Sequence, residues 1–330
     1  MSDEELAPDG ESLDDAGADI AESAQDEATH VEGMTLDALV GYDDEIAHLR
    51  EMGIIDRVDS EYLDFVEQMR RQHGLYDEPV GDAVLFRSDV REDADRLMVA
   101  TANELDRPCV RMRLVEASGG AQALAIMAPP GMTDAGFDDW GTLLIEGIDT
   151  WGTPDGIDFG SSGLGLNLGA AGAARGALKA LSFIRSAVAN PKVAVFASAC
   201  TLPDPLSPMM RFIGPMRVFD IPAPSAEERD AIWNHLMDKH VSISALDRFE
   251  LVRLTAGMPR CDIFSVAREA VVQAYRQSLE RMVYVPVSRG NLLDKIAGYL
   301  PLDSAEYREI EDSMVEDFRA DIERYEHESL

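Results

Sequence analysis

The sequence predicts an α/β fold in which a doubly wound parallel sheet precedes a small all-helical domain. Two observations carry this prediction. Between residues 81 and 222, short apolar runs alternate with stretches of helical periodicity, as expected when crossover helices connect parallel strands. From Ser225 onward, the apolar residues recur only at helical spacing, which indicates helices alone.

Five apolar runs predict a five-stranded parallel sheet in the α/β domain, residues 81–222. They are Ala83–Arg87, Val110–Val115, Thr142–Ile148, Val193–Ala199 and Arg217–Ile221. Several are apolar throughout, which is typical of strands that are covered on both faces. Residues Ala121–Ala128 predict either an extra strand or a hairpin.

Helical patterns flank this domain on both sides. A helical segment is expected over residues 35–80, where apolar side chains recur at spacings of three and four and Ser60 is a candidate helix cap. A small helical domain is expected over 223–285. Ser225 and Glu228 have the spacing of a capping box at the start of its first helix, and the patterns predict two further helices at 245–255 and 261–281.

Acidic residues are concentrated at the two ends of the chain, which has a net charge of −33. Residues 1–34 contain twelve Asp or Glu and no Lys or Arg, and we expect a disordered tail there. Residues 286–330 predict an acidic helical extension. One face of its helix is apolar, with Ile310, Met314, Phe318 and Ile322 at helical spacing.

The composition excludes several classes of function. An acidic chain repels nucleic-acid phosphates, so we expect no nucleic-acid partner. No run of the sequence approaches the roughly 20 apolar residues of a membrane helix, and the acidic N-terminus is unlike a secretory signal. We therefore expect a cytoplasmic protein without a membrane partner. The cysteines and histidines show no metal-ligand spacing, so no metal site is predicted.

Four stretches, in this order, resemble motifs of the AAA+ ATPase family over residues 35–285. The run TLDALVGYDDEI resembles the family's leading segment, and LLIEGID at Leu143–Asp149 resembles its Walker B strand. PDPLSP at Pro203–Pro208 resembles the second region of homology, and GMPRCDI at Gly257–Ile263 resembles the lid motif. The resemblance implies an AAA+-like sheet followed by a helical lid, with Mg-ATP as a possible cofactor and other AAA+ subunits as partners in a homo- or hetero-oligomer.

The phosphate-binding loop of that family is missing from the sequence. Nucleotide phosphates are held by a Gly-rich turn and a Lys at the start of the next helix. Here the first predicted strand runs into Ser88–Asp93, which contains neither Gly nor Lys but three carboxylates. Ordinary ATP binding at this loop is not expected.

The Walker B stretch is altered as well. The resemblance places the metal-orienting acid at Glu146 and the water-activating Glu at Gly147, which has no side chain to act as a base. Asp149 is the other candidate catalytic carboxylate. The alternative interpretation is that Glu146 and Asp149 end a strand and cap the following loop.

Four further residues are candidates by resemblance. Thr201 corresponds to the sensor 1 residue and Arg260 to a sensor 2 arginine, both of which would contact a nucleotide. Arg211 and Arg217 correspond to arginine fingers that would act in trans on a neighbouring subunit. Three of them also have a structural alternative: Thr201 as a strand-end residue, Arg217 as the start of a strand, and Arg260 as an exposed lid arginine or a member of an ion pair.

The motifs favour a catalytically inactive pseudo-ATPase that acts as a scaffold, adaptor or regulatory subunit. Two alternatives remain open at this level. One is an active AAA+ ATPase that binds and hydrolyses ATP at an atypical site, and the other is an α/β binding module that uses no nucleotide.

Overall fold

The computed structural model describes residues 34–55, 60–75, 83–116, 122–129, 137, 140–151, 183–203, 210 and 213–328. These residues belong to two compact units. Unit 1 takes its residues from Met1–Leu36, Ile55–Arg87 and Ala94–Asp220, and unit 2 from Asp37–Ile54, Ser88–Asp93 and Ile221–Leu330.

Unit 1 is built on a six-stranded sheet. In chain order its strands are β1 (Ala83–Arg87), β2 (Cys109–Glu116), β3 (Gln122–Met127), β4 (Gly141–Ile145), β5 (Val193–Ala199) and β6 (Met216–Asp220). Their spatial order is β3-β2-β4-β5-β1-β6. All neighbouring pairs are parallel except β2 and β3. The predicted α/β class is confirmed.

The sheet is mixed and has six strands, whereas the sequence predicted five parallel ones. The additional strand is β3, which pairs with β2 in antiparallel register from Arg111 opposite Met127 to Glu116 opposite Gln122. Only residues 117–121 connect the two strands, a length that suits a hairpin but is too short for a parallel crossover. The sequence predicted either an extra strand or a hairpin over residues 121–128. The structure combines the two, because β3 is an extra strand and pairs with β2 as in a hairpin.

In the described part of the chain, helices precede, separate and follow these strands. In chain order they are α1 (Asp43–Glu51), α2 (Ser60–Gln72), α3 (Arg91–Glu104), α4 (183–189), α5 (Ala226–Lys239), α6 (Arg248–Leu254), α7 (Arg260–Arg281), α8 (Arg289–Ala297) and α9 (Ala305–Glu328). Among the described residues, no helix is both long and apolar enough to cross a membrane.

The core of unit 1 surrounds the central strands. Every residue of β4 and β5 is buried, as expected for predominantly apolar strands that are covered on both faces. Phe183 and Ile184 of α4 and the fully buried Trp151 pack in the same cluster. Burial of these side chains is the main favourable contribution to the stability of the unit.

Unit 2 is helical, and its caps follow the sequence. Helix α5 begins with the predicted capping box, in which the Ser225 hydroxyl accepts from the Glu228 N–H and the Glu228 carboxylate accepts from the Ser225 N–H. Asp247 caps α6 and Ser288 caps α8 in the same way, with side chains that accept from free N–H groups of the first turn. The core of the unit lies between these helices around Trp233, which is fully buried.

A glycine ends the first helical pattern of unit 2. The sequence predicted helical spacing from Leu36 through Met52, but only a short 3-10 turn forms before Gly41, and α1 begins at Asp43. Gly41 has φ of +79°, a conformation that costs residues with a Cβ about 1–2 kcal/mol. A Cβ at this position would lie 2.5 Å from Cδ1 of the buried Ile232.

Replacing Gly41 by Ala should therefore destabilise the protein more than the same change at Gly53. Both glycines have positive φ, but a Cβ at Gly53 would meet nothing within 4 Å. We expect Gly53→Ala to cost about 1–2 kcal/mol from strain alone, and Gly41→Ala to add a further ~1–3 kcal/mol from overpacking against Ile232. Urea denaturation of both variants measures the difference, and equal losses would contradict the packing shown at Gly41.

Candidate functional site

The carboxyl ends of the parallel strands in unit 1 bring the candidate acidic residues together. Open α/β sheets bind their ligands at this edge, outside the ends of the strands. Glu146 follows β4 directly, Asp149 lies in the next turn, and Thr201 follows β5. Their hydrogen bonds show what each group does there.

Glu146 forms an ion pair with an arginine on the neighbouring strand. Nε of Arg111 donates to Oε1 of Glu146 over 2.8 Å, and Nη2 of Arg111 donates to the same oxygen. The two side chains are only 16% and 10% exposed. The pair is bidentate on the arginine side and charge-assisted, a geometry that fixes the orientation of both side chains.

Gly147 makes a turn that a side chain would oppose. Its φ is +61°, and its N–H donates to the buried Ser198 hydroxyl over 2.9 Å. That hydroxyl in turn donates to the Asp95 carboxylate. The turn therefore explains a glycine at the position where the resemblance expected a catalytic Glu.

Asp149 holds the end of β5. Its Oδ2 accepts from the backbone N–H groups of Cys200 and Thr201, each over 3.1 Å, and from the Thr201 hydroxyl over 3.2 Å. Asp149 and Thr201, predicted as separate candidates, thus contact each other directly. Three donors on one carboxylate oxygen describe a capping group at the end of β5, whereas the sequence suggested a cap for the loop that follows Asp149 itself.

The connection from β1 to α3 is short. Ser88, Asp89 and Val90 alone separate the strand from the helix, and the Ser88 hydroxyl accepts from the Val90 N–H over 3.4 Å. Residues 88–93 are all described, and none of them has positive φ. At the end of β1, Arg87 Nε donates to Oδ1 of Asp220 over 2.6 Å.

In unit 2, the Asp93 carboxylate caps a helix far away in the sequence. Its Oδ2 accepts from the Arg260 N–H and its Oδ1 from the Cys261 N–H, each over 3.0 Å. The Tyr42 hydroxyl donates to Oδ1 over 3.2 Å. Helix α7 has no cap from its own N-cap residue, Pro259. Asp93 therefore supplies the negative charge and the acceptors that the N-terminus of α7 requires.

The Arg260 guanidinium is fully buried and donates to four acceptors. Nε donates to the Gly41 carbonyl and Nη1 to the Pro222 carbonyl, the latter over 2.7 Å. Nη2 donates to Oε1 of Glu45 over 2.7 Å and to Oε2 of Glu228 over 3.0 Å. These three residues, Arg260, Glu45 and Glu228, are called the Arg260 cluster below. Contact with a nucleotide through this guanidinium would require some of these bonds to break.

The Arg260 cluster holds two carboxylates against one guanidinium. Burial raises the pKa of Glu45 to about 7; Arg260 acts in the opposite direction, and the neighbouring Glu228 adds to the rise. Burial also opposes ionisation of Glu228, but the Ser225 N–H and Arg260 hold its pKa below the usual range. The cluster therefore takes up one proton near neutral pH, on Glu45.

Of the two predicted arginine fingers, only Arg217 lies among the described residues. Arg217 lies on β6, and its Nε and Nη2 atoms are buried without a hydrogen-bond partner among the described residues. A finger would have to reach out of the molecule with these same atoms. Arg211 lies outside the described residues and stays a prediction.

No local sequence pattern predicted the main contacts of these candidates. In the sequence, Asp93 is one of three acids in the segment 88–93, and Glu45 belongs to a run of acidic residues. Glu228 was predicted only as part of the capping box. The buried position of Arg260 was signalled by no local pattern. Among the described residues, no group of three or more His, Cys, Asp or Glu side chains could hold a metal ion.

Comparison of this chain with models of known protein families and with curated proteins gives no match. The function must therefore be argued from the geometry of these residues.

The raised pKa of Glu45 predicts a stability difference that depends on pH. Between about pH 4.5 and 7 the folded protein keeps a proton on Glu45 that the unfolded chain loses. This contribution to stability is complete below pH 4.5 and is lost as the pH rises through 7. Glu45→Gln stays neutral, so its stability relative to wild type should rise by about 1–3 kcal/mol between pH 5 and pH 8.

Thermal melting across that pH range measures the effect. Glu51→Gln is the matched control, because Glu51 lies on the same helix α1 but its side chain is 79% exposed. The melting temperature of Glu51→Gln should change with pH in the same way as that of the wild type. If the melting temperature of Glu45→Gln also changed with pH as that of the wild type does, the proton on Glu45 would be contradicted.

Proposed function

We propose that this chain is an AAA+-like pseudo-ATPase that acts through protein contacts, as a scaffold, adaptor or regulatory subunit. The observation that carries the proposal is the three-residue connection between β1 and α3. A phosphate cradle needs a turn whose successive N–H groups wrap the anion, which Gly in left-handed conformations permits. No residue of 88–93 adopts such a conformation, and the segment adds carboxylates where a phosphate would require cations.

The order of elements supports the AAA+-like part of the proposal. Five strands, β2, β4, β5, β1 and β6, are mutually parallel, and a helix follows β1. After β6, the described part of the chain contains helices and no further strand. This layout agrees with the order in which the resembling stretches occur in the sequence, although strand order alone assigns no function.

The engaged carboxylates support the loss of catalysis. A general base must be able to accept a proton from water. Glu146 is paired with Arg111, and Asp149 accepts three hydrogen bonds from the end of β5. Asp93 is committed to the N-terminus of α7. These three carboxylates are thus already engaged in structural contacts.

A role in an assembly fits these features better than a role in turnover. A domain that keeps its sheet and helical unit but lacks a phosphate loop retains surfaces for partners. Such partners would be copies of the chain or other AAA+ subunits. In a mixed assembly Arg211 would remain the candidate for contact with a neighbour's nucleotide.

Millimolar Mg·ATP should leave the melting temperature of the full chain unchanged. Any ligand that binds the native state stabilises it by mass action, so a missing shift reports missing binding. Magnesium alone is the necessary control, because a divalent cation can stabilise a chain of charge −33 by screening its repulsion. Wild type and Glu146→Gln should show the same background of ATP hydrolysis.

A rise in melting temperature with Mg·ATP beyond that with magnesium would contradict the proposal. If Glu146→Gln also abolished a measurable turnover, the active ATPase with an atypical site would be the correct alternative.

A further inference from the structure

Helix α9 presents an apolar face that continues beyond the core of unit 2. Ile310 is 1% exposed and packs in that core, with Tyr307 beside it. The next positions on the same face are exposed, with Phe318 at 68% and Ile322 at 44%. Spacings of four residues place these side chains along one side of the helix.

A groove lies beside this face, between α8 and α9. It has a volume of about 330 Å³. Its apolar surface comes from Ala297 of α8 and from Met314, Val315 and Phe318 of α9, and the acids Asp294 and Glu311 border it. An apolar groove of this kind suits the apolar face of a helix, which places anchors at positions i, i+3 and i+4.

The charge of α9 indicates which helix would bind there. Residues 305–328 contain ten Asp or Glu and three Arg. The chain's own acidic segment 1–34 would be repelled, and so would α9 of a second copy. The same charge repels nucleic acids and anionic membranes. Lys or Arg flanking an apolar stripe would instead complement both the acidic border and the apolar floor.

We propose that the groove between α8 and α9, with the exposed face of α9, binds a basic amphipathic helix of a partner protein. The inference names the partner class for the protein-contact role proposed above and rests on that role. It does not involve the nucleotide, so the two can fail separately. Apolar contacts would supply most of the affinity, and the acids would select the partner and speed its association.

A designed peptide tests the inference on the full chain. The probe is a fluorescein-labelled helix with Leu on one face and Lys on its flanks. A control peptide has the same composition but a scrambled order without helical amphipathicity. Fluorescence anisotropy should show the ordered peptide binding at least about tenfold more tightly than the scrambled one, because only the ordered peptide fills the groove.

Two variants separate the groove from general attraction to an acidic surface. Phe318→Ala should weaken binding of the ordered peptide by about tenfold, as expected for the loss of an aromatic anchor. Phe249→Ala is the matched control, because Phe249 is 75% exposed in the same unit and does not line the groove. It should leave binding unchanged. Phe318 is largely exposed, so its removal should leave the melting temperature near that of the wild type.

Equal binding of the two peptides, or equal effects of the two variants, would overturn the inference. Self-association of the chain that Phe318→Ala abolishes would overturn it in favour of a second copy. Either result would leave the ATP melting experiment, and hence the proposed loss of the nucleotide site, untouched.

Discussion

The buried guanidinium of Arg260 is the interaction on which the helical unit depends. It joins α7 to Glu45 of α1, to Glu228 of α5 and to the carbonyl of Gly41. Taking these charges out of water is costly, and the ion pairs need not stabilise the fold more than apolar residues would. Removing one partner, however, leaves a buried charge without compensation. The cluster therefore fixes how these segments pack, and Gly41 must stay small and left-handed so that its carbonyl can reach Arg260.

Polar groups that resemble a catalytic apparatus serve the fold in both units. Asp93 caps α7, Asp149 caps the end of β5, and Glu146 neutralises Arg111. Each of these carboxylates makes a fixed structural contact instead of being left open for catalysis. These contacts, together with the short turn after β1, are the physical basis for proposing a protein that binds partners instead of hydrolysing nucleotide. The acidic helix α9 then gives that role a concrete surface.

Local patterns predicted the elements of this fold, but not the contacts between distant residues. The strand β5 and the capping box at Ser225 follow from periodicity and from short-range hydrogen bonds, which the sequence displays directly. Antiparallel pairing of β3 depends on the length of its connection to β2. The bond from Arg260 to Asp93 joins residues 167 positions apart, and hydrophobic periodicity contains no information on which carboxylate meets which donor. Gly147 was predicted as a loss of function, whereas its positive φ gives it a local structural reason.

The most direct test of this account is the free energy of unfolding of Arg260→Ala, measured with and without Mg·ATP. We expect a loss of about 3–5 kcal/mol, since Glu228 loses its buried counter-charge and Glu45 loses its buried hydrogen-bond donor, and no effect of ATP on either protein. Arg253→Ala, which removes a half-exposed ion pair with Glu309, should cost less than about 1 kcal/mol. A loss at Arg260 as small as that at Arg253, together with stabilisation of the wild type by ATP that Arg260→Ala removes, would contradict the account and identify Arg260 as a nucleotide-binding residue.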